Sequence, residues 1–252
     1  MRSGSFKLVL LVAGSVVACS SGTTTTTPTD AGGGDAKDAA ASFTQKGKIV
    51  DFDSGKGVAN VTVTATAASG TFTATTDSTG VYSLVVPQNV PYTMSLTGGN
   101  YLKLIEQEWS LTADADRGNT RFVSQDTQNF LQTLLTGYDA KLAVVSIGLT
   151  KLASCTASLD GVTLALENPG AAQVKYFKGG FPNGTAVAEG ASPSALFYNV
   201  TPGAPIKLVL TGTTCKLAAF PQKDTTAPTI SYTGNVVSEA GQAASFGRFF
   251  LE

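Results

Sequence analysis

Apolar and polar residues alternate with a period of two along much of this chain, most clearly between Gly47 and Tyr101. Val61, Val63, Ala65 and Ala67 interleave with Thr62, Thr64 and Thr66, the pattern of a strand with one face buried and the other in water. The period returns at Phe72 and Ala74, at Tyr82, Leu84 and Val86, and at Tyr92, Met94 and Leu96. Asp77-Ser78-Thr79-Gly80 lies among these runs. Its aspartate bonds backbone two residues on and its glycine takes positive φ without steric cost, so a hairpin is predicted there. Leu104 to Leu111 reads as a further strand, and Asp114 to Asn119 as a loop. Helical spacing appears at Phe130, Leu131, Leu134 and Leu135, with Ser124 or Asp126 as the cap and Gly137 as the stop, which predicts one short helix. Leu142 to Leu149, apolar except for Ser146 and Gly148, predicts a strand covered on both faces. Val162, Leu164 and Leu166 alternate after the Asp160-Gly161 turn, Leu196, Tyr198 and Val200 lead to Thr201-Pro202-Gly203, and Ile206, Leu208 and Leu210 follow. Ile230 and Tyr232 make an extra pair, and the aromatic run from Phe246 to Leu251 predicts a last strand that plugs a sheet.

Composition changes this picture at the N-terminal side. From Ser20 to about Ser42 the chain collapses to threonine, glycine, alanine and aspartate, with five threonines from Thr23 and three glycines from Gly32. Such a segment lacks the apolar residues for a core and reads as a disordered tether, spanning roughly 25 Å as a flexible coil. The rest, in a chain with 42% apolar residues, is large enough for a substantial core. The expected class is all-β: two Greek-key β-sandwich domains with one short helix between them. The expected boundaries are a signal peptide over 1–18, the tether over 19–42, a first sandwich over 43–110, a helical connector over 111–137 and a second sandwich over 138–252.

The first sandwich carries a resemblance. Gly47-Lys48-Ile49-Val50-Asp51, a turn at Asp53-Ser54-Gly55-Lys56-Gly57, the strand Val58-Ala59-Asn60-Val61-Thr62-Val63, the Thr76 to Leu84 hairpin and a loose closing Gly98-Gly99-Asn100-Tyr101 together resemble the carboxypeptidase regulatory-like family. That family has a transthyretin-type, or prealbumin-like, sandwich. Two residues depart from its pattern: Gly57 stands where a proline is usual and Asn60 where glycine is common. The second sandwich resembles the same group more weakly. The resemblance implies a fold and is nearly silent on function, because such modules are attached to many unrelated exported proteins.

The N-terminal stretch carries a different signal. Arg2 and Lys7 precede an apolar run from Leu8 to Ala18, broken by Gly14 and Ser15, the layout of a secretion signal. The run is shorter than the roughly 20 residues of a spanning helix. Its ending, Val16-Val17-Ala18-Cys19, resembles the bacterial lipobox, which implies diacylglyceryl transfer to Cys19. Ser20, in place of a retention aspartate, implies an outer-membrane address, on either its periplasmic or its surface-exposed side. A site ending in Ala18 also suits an ordinary signal peptidase, and the alternative is a freely secreted protein. With lipid on Cys19, the remaining Cys155 and Cys215 form an even pair, expected as a disulfide, the alternative being two buried thiols.

Charge and residue types narrow the chemistry. Seventeen basic residues balance eighteen acidic ones without a basic cluster beyond the leader, so nucleic acid is not an expected partner. The chain has no histidine, which removes Ser-His-Asp and Cys-His pairs and histidine-based zinc sites. It also lacks a Gly-x-Ser-x-Gly elbow, a Ser-x-x-Lys, a phosphate-cradling glycine loop and a Cys-x-x-Cys. Glu106 and Glu108, two apart on a predicted strand, share a face and are the carboxyl pair to weigh for glycoside hydrolysis. Asp51 with Asp53, and Asp114 with Asp116 near Asn119, offer oxygens to calcium but fit polar turns better and match no full calcium loop. No metal or other cofactor is implied. Trp109, Phe177 and Phe181 are the candidate ligand-binding aromatics, with Tyr176 turned inward by alternation; the competing reading is core packing. The expectation is a non-catalytic envelope lipoprotein with a structural, adhesive or ligand-presenting role. It would be held to the membrane by its N-terminal lipid and have an envelope protein or polysaccharide as partner. The alternatives are a carbohydrate-binding module and an enzyme of unrecognised type.

Overall fold

The computed structural model of the chain describes residues 41–189, 194–241 and 243–252. The expected leader, Cys19 and the tether up to residue 40 lie outside the described residues. Over the first half the described residues form β1 (Ser42–Asp51), β2 (Thr62–Ala67), β3 (Gly70–Thr75), β4 (Val81–Pro87), β5 (Tyr92–Thr97), β6 (Lys103–Glu106), β7 (Trp109–Leu111) and β8 (Ala115–Phe122), then the helix α1 (Gln125–Gln132). The second half adds β9 (Ala143–Lys151), β10 (Thr163–Leu166), β11 (Gln173–Lys178), β12 (Phe181–Gly184), β13 (Ser194–Val200), β14 (Leu208–Thr211), β15 (Gln222–Lys223), β16 (Ile230–Tyr232) and β17 (Ala243–Leu251). The chain is all-β and sandwich-like, with one short helix among the described residues.

Twelve strands join one sheet, in the order β12-β11-β13-β9-β17-β6-β5-β7-β16-β15, with β2 on β5 and β3 beyond β2. A three-stranded sheet, β4-β1-β8, and a two-stranded one, β10-β14, supply the other layers. Because β17 alternates, its two sides feed different cores. Phe249 and Leu251 pack with Val145, Ile147, Phe197, Leu164 and Leu208, whereas Phe250 packs with Ile49, Tyr82, Leu104, Trp109 and Tyr232. The two small sheets therefore cover opposite faces of the large one. Segment 138–252 builds the second core and also completes the first, through Ala218, Ile230, Tyr232 and Phe250. β17 joins the two halves by parallel pairing with β6 on one side and β9 on the other.

Three local expectations change in the folded chain. The stretch 114–119 is not a loop; most of it belongs to β8, which pairs in parallel with β1. Its alternation is hidden because the inward position is Arg117 and because the register shifts between Lys46 and Lys48, opposite Gly118 at φ 63°. The run Leu104 to Leu111 is two strands. Gln107 and Glu108 leave the ladder, their N–H groups donating to the carbonyls of Phe246 and Asn235 at 2.8 Å each. The Asp77 turn is a corner between layers: β3 pairs with β2 and β4 with β1. The turn chemistry itself is as expected, with Asp77 Oδ1 accepting from the Thr79 N–H at 2.8 Å and Gly80 at φ 84°.

Gly57 and Asn60 each have a structural explanation. Asn60 sits at φ 59°, a left-handed conformation that asparagine tolerates and glycine reaches freely. Gly57 lies against the Asp77 corner, where an added Cβ would stand 1.9 Å from the Thr79 carbonyl oxygen. Gly57→Ala is thus expected to destabilise the fold by about 1–3 kcal/mol through overpacking, while Asn60→Gly stays within about 0.5 kcal/mol of the parent. Urea unfolding of the two variants checks this, and an unchanged midpoint in Gly57→Ala would contradict the close approach.

Of the two expected caps, Ser124 starts helix α1, its Oγ accepting from the Thr127 N–H at 3.2 Å, and Asp126 lies in the first turn. Its apolar face divides: Leu135, just past the helix, is buried, but Phe130 is 53% exposed and Leu134 36%.

Candidate functional site

A cluster of largely buried charge lies where β6, β7, β8, β16 and β17 meet. Trp109, expected among the ligand-binding aromatics, is fully buried and offers no stacking face to solvent. Its ring centroid is 4.8 Å from that of Tyr92, and the Arg117 guanidinium carbon lies 4.5 Å from it. Arg117 stands on β8, in the three-stranded sheet, and reaches across the sandwich to side chains of the large sheet. There its Nη2 donates to Glu106 Oε2 at 2.7 Å and its Nη1 to the Tyr232 hydroxyl at 3.1 Å. Tyr232 donates in turn to Asp224 Oδ2 at 3.2 Å, and Arg248 Nη1 donates to the same oxygen. Burial works against the Arg117 charge, but Glu106 and the tyrosines around it outweigh that effect and raise its pKa above the ordinary arginine value. Burial likewise opposes ionisation of Asp224, yet Arg248 and the Thr226 hydrogen bonds hold its carboxyl below the usual range. Two acids and two guanidiniums thus close on one another. This geometry ties layers together and engages both members of the expected carboxyl pair: Glu106 is bound by Arg117, and Glu108 accepts from Thr233 Oγ1 at 2.8 Å.

Of the remaining acidic candidates, Asp51 and Asp116 hold local turns, while Asp53 and Asp114 tie distant segments together. Asp51 Oδ1 accepts from the Ser54 N–H at 2.8 Å and Oγ at 2.6 Å, and its Oδ2 accepts from the Tyr101 hydroxyl at 3.1 Å. Burial raises the Asp51 pKa, but these bonds outweigh it and leave the carboxyl below its ordinary value. Asp53 accepts from Thr127 Oγ1, Asp114 from the Thr44 N–H at 2.8 Å and Asp116 from the Gly118 N–H at 2.8 Å. Among the described residues no three His, Cys, Asp or Glu side chains gather in a metal-binding group, and no helix is long and apolar enough to cross a membrane. Glu189, not singled out from the sequence, pins the loop after β9. It accepts from Lys151 Nζ and Ser158 Oγ at 2.7 Å each and from the Leu159 N–H at 2.9 Å. These bonds, that from Lys151 first, hold its carboxyl down to about 2.

Cys155 and Cys215 are joined in a disulfide with their Cα atoms 5.3 Å apart, and both belong to the second core. Tyr176 is buried there, as alternation predicts. Phe177, on the opposite face of β11, is half-buried beside a small cluster of Leu135, Val144, Leu196 and Tyr198. Phe181 meets Phe130 of α1 edge-on at 6.4 Å. Of the three aromatic candidates, Phe177 and Phe181 remain partly accessible, and Phe130 of the helix is the most exposed aromatic near them. An open groove of about 310 Å³ lies elsewhere, lined by Ile206, Leu208, Leu217, Phe220 and Phe249 with Lys207.

The outer face of β3-β2-β5 was legible residue by residue but not as a surface. Registers align Thr75, Thr62 and Thr97 in one row, Thr73, Thr64 and Ser95 in the next, and Thr71, Thr66 and Thr93 in a third. Strand spacing separates neighbours within a row by about 4.8 Å and successive rows by about 6.7 Å.

No protein-family model matches the chain, and no curated protein matches it. Among solved structures, the Bacillus anthracis TIE protein aligns over 84% of this chain at 11% identity and TM-score 0.28, so that the chain spans 34% of that protein's length. The shaft pilin SpaA from Lactobacillus rhamnosus GG aligns over 84% of this chain and 97% of its own at 10% identity and TM-score 0.27. At that level of similarity these neighbours decide nothing about this chain, whose fold class rests on its own strands.

Proposed function

We propose that this chain is a non-catalytic cell-envelope lipoprotein, a β-sandwich body held at the outer membrane by lipid on Cys19 and serving a structural, adhesive or ligand-presenting role. The observation that carries the reading is the cysteine pairing. Of three cysteines, Cys155 and Cys215 are consumed by the disulfide, an arrangement suited to an oxidising compartment. Cys19 is the remaining one, directly behind Val16-Val17-Ala18. The absence of histidine and the structural engagement of Glu106, Glu108 and Asp224 support a non-catalytic role. Burial of Trp109 takes away the strongest residue of the carbohydrate-binding alternative.

Acyl chains contribute about 0.8 kcal/mol per buried methylene, and more than one chain makes attachment stable. In a Gram-negative host, the full chain is expected to incorporate labelled palmitate and sediment with outer-membrane fractions, whereas Cys19→Ala incorporates none and turns up in the soluble fraction. A Cys19→Ala chain that still labels and sediments as the parent does would refute the anchor.

A further inference from the structure

We propose that the open side of the first sandwich, formed by the edge strands β3 and β4, is a self-association surface on which a second copy of this chain pairs its β3 antiparallel to the first, closing a two-fold dimer. An exposed edge strand presents unpaired N–H and C=O groups, and proteins ordinarily blunt such edges with charge, proline, bulges or brevity. The other edges here follow that rule. β8 carries Asp116, Arg117 and Arg121 and a register shift, β12 contains Pro182, β15 is two residues long with Lys223, and β10 and β14 are four residues each.

The β3–β4 side has none of this protection over most of its length. Gly-Thr-Phe-Thr-Ala-Thr and Val-Tyr-Ser-Leu-Val-Val-Pro contain no charged residue, and the one proline, Pro87, closes β4. β3 pairs with β2 through six residues without a register break and, among the described residues, with no other strand. Two of the exposed large apolar side chains, Val81 at 43% and Val85 at 56%, stand on β4.

Self-complementarity identifies the occupant. Antiparallel pairing must keep Thr faces together and apolar faces together, since a one-residue slip would turn the buried set outward. Centring the axis on Thr73 satisfies this over five residues. Thr73 meets its own copy, Thr71 meets Thr75, and Phe72 meets Ala74. The other edge of β3 already makes that chemistry: β2 sets threonine against threonine and places Ala65 opposite Phe72 and Val63 opposite Ala74. A two-fold contact of this kind is isologous and stops at two chains. It would also continue the hydroxyl face of β5, β2 and β3 into the partner. The inference does not depend on the lipid anchor.

The test uses the full chain carrying Cys19→Ala, so that the native disulfide leaves no free thiol. In sedimentation this chain is expected at twice its monomer mass. Thr73→Lys, which sets two ammonium groups against each other at an exposed position, is expected to sediment as one chain and to melt at a temperature independent of concentration, whereas the parent's melting temperature rises with concentration. Added Thr73→Cys is expected to yield a covalent dimer under mild oxidation, while Thr64→Cys, one strand further in, does not. A monomer at all concentrations, a dimer that survives Thr73→Lys, an open-ended mass series or equal crosslinking by Thr64→Cys would each overturn the proposal.

Discussion

Arg117→Met is expected to lower the unfolding free energy by about 3–5 kcal/mol, the cost of breaking a buried ion pair by removing one partner. Its guanidinium crosses from β8 to Glu106 and lies over Trp109, so the substitution leaves the Glu106 carboxylate, in a residue 8% exposed, without its cation. The Tyr232 hydroxyl also loses a donor on the path to Asp224 and Arg248. Adding Glu106→Leu to Arg117→Met should restore most of the loss, because an apolar pair of similar size avoids the desolvation penalty altogether. Denaturant unfolding of the two singles and the double makes a thermodynamic cycle. A loss below about 1 kcal/mol in Arg117→Met, as for an exposed pair, would mean that the cross-layer contact does not hold the sandwich.

Opening the disulfide is expected to have an effect of similar size. In the chain-entropy description, a closed loop with the 60-residue separation of Cys155 and Cys215 stabilises the folded state by about 4 kcal/mol. Its position sharpens the expectation. Cys155 follows β9 of the large sheet and Cys215 follows β14 of the two-stranded layer, so the bond staples the two layers of the second core. Among the described residues β10 and β14 pair only with each other, and an isolated two-stranded ribbon is marginal in water. Unfolding of the Cys155→Ser, Cys215→Ser double variant, or of the parent under reductant, should show this loss, with amide exchange accelerating first in β10 and β14. Equal stability with and without reductant would show that apolar packing of Leu164, Leu166 and Leu208 holds the layer unaided.

Most strands were readable because a side chain's face in a strand depends only on its place in the alternation. Val63, Ala65, Tyr82, Leu84, Tyr92, Met94 and Leu96 are all buried, and Thr62, Thr66 and Thr73 all face water. The disulfide followed from counting cysteines, and the Asp77 corner from the preferences of aspartate and glycine. β8 escaped notice because its inward residue is an arginine, which looks like a loop residue until a partner 11 positions away in the chain accepts its hydrogen bond.

Trp109 shows the same limit from the other side. Its neighbours in sequence, Glu108 and Ser110, suggest a half-exposed strand, and it is buried by residues from distant strands, Tyr92 and Arg117 among them. The two expected sandwiches prove to share β17, whose Phe249 and Phe250 look alike in sequence yet enter different cores. By itself the sequence determined the strand class, which faces are wet, the absence of histidine chemistry and the cysteine count. Tertiary structure alone decided which strands are neighbours and which charges meet, as Lys103 meets Glu239 across 136 residues. The reason is physical: alternation is a local property of the backbone, whereas pairing depends on contacts between segments whose separation along the chain leaves no periodic trace.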